Sequence, residues 1–176
     1  FLLLIGSTNF ASRRNVIRYF NFLNQEQEAP KADLTAILNA CEKMAKEKTG
    51  AIIVLEKENS LDFLKSTGDE ANIELSSQIL ETIFFKNSPL HDGAIIIKNN
   101  YIIATRVVLP VSDSTTIPTR FGLRHRAAIG ISEKTDSLVL VTSEQTGKIS
   151  YVKDGQFCKF KNLEDLRRLL TEDLSI

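Results

Sequence analysis

The chain contains two histidines, His91 and His125, and each stands beside other groups capable of chemistry. In Leu90-His91-Asp92-Gly93-Ala94 an imidazole and a carboxylate adjoin a glycine. A carboxylate is a hard oxygen ligand for Mg²⁺ or Mn²⁺ and can help deprotonate a hydroxyl, while glycine lets a ligand approach the backbone. Asp-Gly is also a common turn pair, so a plain loop accounts for the string as well. In Gly122-Leu123-Arg124-His125-Arg126-Ala127-Ala128, three cationic or titratable groups follow a glycine and precede small residues suited to close helix packing. Such a run can hold phosphate oxygens by charge-assisted bonds, aided by free N–H groups at a helix start; a solvated basic turn is the alternative. Ser143-Glu144-Gln145-Thr146-Gly147 offers Glu144 to a metal or a ligand hydroxyl, or is a simple strand-to-hairpin loop.

The elements that must position these groups follow from periodicity. Leu34, Ile37, Leu38, Cys41, Met44 and Ala45 form an apolar stripe at helical spacing, opened by Asp33 and stopped by Lys46, Lys48 and Gly50. Residues 51–55 are a continuous branched apolar run, which predicts a strand covered on both faces. Ser76 or Ser77 caps a helix that turns Ile79, Leu80, Ile83 and Phe84 inward and ends at Asn87 and Pro89. Residues 94–97 and 101–109 read as strands joined by a two-residue turn at Asn99-Asn100, and 138–142 as a buried strand. Residues 149–153 and 156–160 flank Asp154-Gly155, a type I′ turn signal. Leu163, Leu166, Leu169 and Leu170 face inward on a last helix, with Glu164 and Asp165 ahead of Arg167 and Arg168 as the helix dipole favours. Within 9–28, Val16, Ile17, Phe20 and Leu23 recur at helical spacing, and Pro30 closes that segment. Interleaved helices and strands with two tight hairpins predict an α/β fold: a mixed parallel and antiparallel central β-sheet flanked by α-helices.

Composition narrows the function. With 176 residues, 43% of them hydrophobic, the chain can bury the core of one domain. Lys plus Arg and Asp plus Glu balance at 22 each, so no overall field favours a nucleic acid or an anionic membrane, and any anion site must be local. Cys41 and Cys158 lack metal-ligand or disulfide spacing and are expected to be reduced and buried. The opening apolar run, residues 1–5, is far shorter than the ~20 residues a membrane span needs, and no signal-peptide pattern accompanies it. Because the chain opens on Phe1 inside that run, it is expected to be a piece of a longer one.

Together, Pro89-Leu90-His91-Asp92-Gly93-Ala94 and Arg124-His125-Arg126-Ala127-Ala128-Ile129-Gly130-Ile131-Ser132-Glu133 resemble the two defining motifs of the diadenylate cyclase domain family, Asp-Gly-Ala and Arg-His-Arg. The resemblance runs from Leu34 to the last helix through Gly50-Ala51-Ile52, Ser66-Thr67-Gly68, Leu109-Pro110 and Thr135-Asp136-Ser137. It implies that residues 31–176 are a catalytic domain working as a face-to-face homodimer. Each copy holds one ATP, and each 3′-hydroxyl attacks the α-phosphate of the opposite ATP, giving cyclic di-AMP and two pyrophosphates.

The resemblance implies roles residue by residue. Asp92 binds the divalent metal and promotes 3′-hydroxyl attack, with His91 completing the metal site and Gly93 lying against the nucleotide. Arg124 and His125 hold the phosphates and stabilise charge on the pentavalent phosphorus and departing pyrophosphate. Ser143 and Glu144 border the triphosphate and metal, Leu123 belongs to the ATP site, and the backbone around Leu109 reads the adenine edge. The implied cofactor is Mg²⁺ or Mn²⁺, with Co²⁺ also admissible. Residues 1–30, including Arg13-Arg14, resemble the connector and N-terminal helix that follow three transmembrane helices in the membrane-anchored type. A bacterial inner-membrane anchor, a catalytic domain facing the cytoplasm, a membrane regulator and a phosphoglucosamine mutase partner follow from that likeness.

Two positions depart from the family pattern. Leu123 stands where a threonine usually contacts phosphate, and Gln145 where many members carry a second acidic residue, which ranks Glu144 below Asp92 as a metal ligand. Leu123 motivates an alternative, a weak or inactive relative that senses ATP or cyclic di-AMP. A nucleic-acid module using Arg120, Arg124 and Arg126 is disfavoured by the zero net charge and the lack of Trp.

Overall fold

The computed structural model describes residues 31–175, so the helix expected within 9–28 lies outside the described residues. In chain order the elements are α1 (Leu34–Lys46), β1 (Ala51–Leu55), α2 (Asp62–Lys65), β2 (Asp69–Glu74), α3 (Ser77–Phe84) and β3 (Ala94–Lys98). Then follow β4 (Tyr101–Val107), α4 (Leu123–Lys134), β5 (Leu138–Thr142), β6 (Ile149–Lys153), β7 (Gln156–Cys158) and α5 (Leu163–Leu174). Side-chain caps start three helices: Asp33 accepts from the Ala36 N–H at 3.0 Å, Ser76 from Ile79 at 3.2 Å, and Asn162 from Asp165 at 2.9 Å.

The strands form one sheet in the order β2-β4-β3-β1-β5-β6-β7. β1 pairs parallel with β3 and antiparallel with β5, and every other pairing is antiparallel. The mixed sheet expected from the two hairpins is therefore observed. Alternation divides the core into two layers. Ile53, Leu55, Ile95, Ile97 and Leu140 face one side with α1, α3 and α5, whereas Ile52, Val54, Ile96, Val139 and Val141 face the other with α4. The pairing directions also bring the starts of β1, β2, β3 and β6 and the ends of β4 and β5 to one end of the sheet.

Several boundaries differ from expectation. α3 stops at Phe84 because Phe85 takes an extended backbone, before Asn87 is reached. β4 stops at Val107 after a bulge, and β7 ends at Cys158. Asp154 and Gly155 both have positive φ, as a type I′ turn requires, but at the other hairpin only Asn99 does. Cys41 is buried, which pushes its thiol up to about 12, whereas Cys158 on the edge strand β7 is only half-buried. β2, a largely exposed polar edge strand, and the four-residue α2 were not foreseen.

Candidate active site

A cleft of about 1100 Å³ opens along that end of the sheet, lined by Asp92 and Gly93 ahead of β3, Arg124 and His125 on α4, and Ser143 and Glu144 after β5. Three segments distant in sequence are thereby brought together. Leu109 and Leu123 line the same cleft.

Each functional group is held by its neighbours. Gly93 has φ +108, and a Cβ there would lie 2.7 Å from the Arg106 carbonyl carbon, so the Asp92-Gly93 loop can lie flat on β4 only with glycine. The Arg124 guanidinium rests on Gly50, where a Cβ would come within 2.6 Å of Cζ, and its Nη1 donates to Glu144 Oε2 at 3.0 Å. Gly130 of α4 packs on the Pro110 carbonyl, and the Ser112 N–H donates to the Arg126 carbonyl at 3.0 Å. The helix carrying Arg124 is thus clamped to the segment carrying Leu109.

α4 begins at Gly122 without a side-chain cap. The Arg126 N–H bonds back to the Gly122 carbonyl at 3.2 Å, and among the described residues the N–H groups of Leu123, Arg124 and His125 have no protein partner. Open N–H groups and the positive end of the helix dipole make this an anion-binding end. Four cations, Arg106, Arg120, Arg124 and Lys148, face two carboxylates, Asp92 and Glu144, in the cleft. A chain of zero net charge has therefore concentrated positive charge locally.

His125 is buried against Phe121 and Phe157, with ring centroids at 4.8 and 6.1 Å, and its Nε2 lies 3.3 Å from Ser150 Oγ. Burial first, and then the adjacent Arg124 charge, hold it below the ordinary histidine range, so the imidazole is neutral at pH 7. His91 is turned to its own loop: Nδ1 donates to the Ser88 carbonyl at 2.7 Å, and the residue lies off the cleft lining. Arg126 also lies off the lining and donates to the Ser114 carbonyl at 3.4 Å. Leu123 is 75% exposed and lines the cleft, as do the exposed Val108 and Val111.

Among the described residues no three of His, Cys, Asp and Glu converge on one point. Mg²⁺ usually takes one or two carboxylates together with substrate phosphates and water, and Asp92 with Glu144 suits that mode. Sequence reasoning did not single out Gly50, Arg106 or Lys148 as site residues. Thr67, whose hydroxyl accepts from the Val108 N–H at 3.0 Å and donates to the Leu64 carbonyl at 2.6 Å, was likewise missed. Gly50 and Thr67 do fall inside segments that carried the family resemblance.

Residues 38–157 match the DAC family model, described as DisA bacterial checkpoint controller nucleotide-binding. The cyclic di-AMP synthase CdaA of Bacillus subtilis is 44% identical over 147 residues, covering 84% of this chain and 50% of that protein. A diadenylate cyclase of Listeria monocytogenes is 41% identical over 157 residues, covering 89% of this chain and 56% of that protein. The chain thus spans about half the length of these curated relatives. The crystal structure of DacA from Staphylococcus aureus superposes with a TM-score of 0.77 at 40% identity, covering 80% of this chain and 94% of that one. A family match across the sheet and cleft, with relatives above 40% identical over most of its length, means that the chain belongs to the DisA bacterial checkpoint controller nucleotide-binding (DAC) family.

Proposed function

We propose that the cleft binds ATP and that two copies, facing each other, condense two ATP into cyclic di-AMP with release of two pyrophosphates. The observation that carries this reading is the convergence of Asp92, the Gly50-seated Arg124 guanidinium and the uncapped start of α4 in one cleft. The relatives' names support the product.

In this reading Arg124 and the open N–H groups of α4 bind the triphosphate and stabilise the charge that gathers on the α-phosphorus and the leaving pyrophosphate. Asp92 draws the proton from the attacking 3′-hydroxyl. For each ATP one 3′-oxygen-to-phosphorus bond forms, one phosphorus-to-pyrophosphate oxygen bond breaks, and the hydroxyl proton leaves. Asp92 and Glu144 would hold a divalent ion, Mg²⁺ or Mn²⁺, which when bound would supply Lewis-acid polarisation of the phosphate oxygens. His125 can hydrogen-bond to phosphate and shape the cleft floor with Phe121. Among the described residues no protein group bonds the Leu109 backbone, which leaves its N–H and C=O to the adenine edge. Family resemblance alone supports attachment to a bacterial inner membrane through an N-terminal anchor to which residues 1–30 would be the connector, a membrane regulator and a phosphoglucosamine mutase partner.

Asp92→Asn tests the reading at nearly constant volume. Cyclic di-AMP formation should be lost while the melting temperature holds within a few degrees; undiminished product would overturn the assignment. Leu123 favours a second reading, a binding-only sensor, because no hydroxyl stands at that exposed position on the cleft lip. ATP binding by the native chain with no turnover at any protein concentration is the result that reading requires.

A further inference from the structure

Arg106 has φ 54 and is, among the described residues, the one non-glycine residue with positive φ inside a strand; Lys48, Asn99, Asp154 and Ser175 lie at turns or helix ends. Its conformation belongs to a bulge. Between Ala94 and Ile96, β3 advances two residues while β4 goes from Val107 to Ala104, three. Two glycines press on this bulge: a Cβ at Gly68 would lie 2.2 Å from the Thr105 carbonyl oxygen, and one at Gly93 2.7 Å from the Arg106 carbonyl carbon.

Glycine is the ordinary occupant of such a backbone position, so an arginine there needs a use for its side chain. Its ion pair does not provide one, because Arg106 Nη1 and Asp69 Oδ2 are 3.6 Å apart with both side chains about half exposed. Arg106 is, however, one of the residues that line the cleft. β4 adjoins β3, which adjoins β1, at about 4.8 Å per step. Arg106 at the end of β4 and Arg124, seated at the start of β1, therefore flank the Asp92 loop from opposite sides.

We infer that Arg106 is a further substrate-binding residue, gripping the nucleotide's phosphates from the side of Asp92 opposite Arg124. The inference rests on the cleft being the ATP site. The bulge, with its glycine shelves at Gly68 and Gly93, presents the guanidinium, and the loose contact with Asp69 yields to the ligand.

The test is calorimetric titration of the purified chain with an ATP analogue non-reactive at the α,β linkage, in Mg²⁺, alongside thermal melts. Arg106→Gln and Arg106→Gly should each weaken binding about tenfold, the scale of one charge-assisted hydrogen bond, whereas Arg106→Lys should stay within about threefold of the native chain. Arg106→Gly relieves the left-handed backbone and should melt at or above the native temperature, separating a ligand role from a structural one. Native-like affinity in Arg106→Gln and Arg106→Gly, with the native chain binding normally, would overturn the inference and leave the ATP site standing. Failure of the native chain itself to bind the analogue would overturn both.

Discussion

Gly50 lacks a side chain, and Arg124 occupies the space one would take. Gly50→Ala should therefore displace the guanidinium and cost about one charge-assisted hydrogen bond, ~1.5–3 kcal/mol, seen as a ten- to hundredfold fall in kcat/KM for ATP. In an Arg124→Ala background the same substitution should have little further effect, a non-additivity that steady-state kinetics can measure. At Leu123, which is 75% exposed, Leu123→Thr should leave stability within ~0.5 kcal/mol and tighten ATP binding, which calorimetry reads directly. His125 carries a pH dependence. Its native pKa is depressed by burial, so the unfolded chain binds its proton more readily. The sign follows: the contribution is complete above the unfolded value of about 6.5 and is lost as pH falls from there through the native value. The melting temperature should drop between pH 7.5 and 5.5, and His125→Gln should flatten that drop. At this scale Asp92, Gly93, Arg124, His125 and Glu144 were legible as residue types and spacing. Gly50 and Arg106 were not, because their roles are contacts with segments far away in sequence.

The element on which the site depends most is α4, and its two ends of influence are separable. Gly122 has open space where a Cβ would go, so Gly122→Asp should fit, cap α4 and hold stability steady or raise it by a few tenths of a kcal/mol. The same carboxylate would occupy the N–H groups that the proposed function assigns to phosphate, and KM for ATP should rise roughly tenfold, the scale of one charge-assisted hydrogen bond. Gly130→Ala acts at the other contact, forcing a Cβ into the Pro110 carbonyl, and should cost ~1–3 kcal/mol in a denaturant melt. α4 was hard to delimit from sequence for a physical reason. His125 and every residue from Ala127 to Ser132 are buried, so the helix shows no apolar stripe against a polar face. β2 was hidden for the opposite reason: as an exposed edge strand with Ile73 as its one large apolar residue, it lacks the alternation that marks a half-buried strand. α1, α5 and the two hairpins, with clear stripes, caps or turn residues, were legible to within a few residues.

For the whole molecule, the sheet order and its strand directions put the two motifs at one end, a juxtaposition that hairpin signals alone cannot supply. The proposed reaction also needs a second copy, since one cleft presents one ATP to a chemistry that joins two. Product formation should rise faster than linearly with dilute enzyme and become proportional once dimers saturate; strict proportionality down to the lowest measurable concentration would contradict a weak dimer. The central claim is met most directly by incubating the chain with ATP and Mg²⁺ or Mn²⁺ and weighing the products by mass spectrometry. The account predicts cyclic di-AMP and pyrophosphate in a one-to-two ratio, whereas ATP returned unchanged, or cleaved only to ADP or AMP, would contradict it.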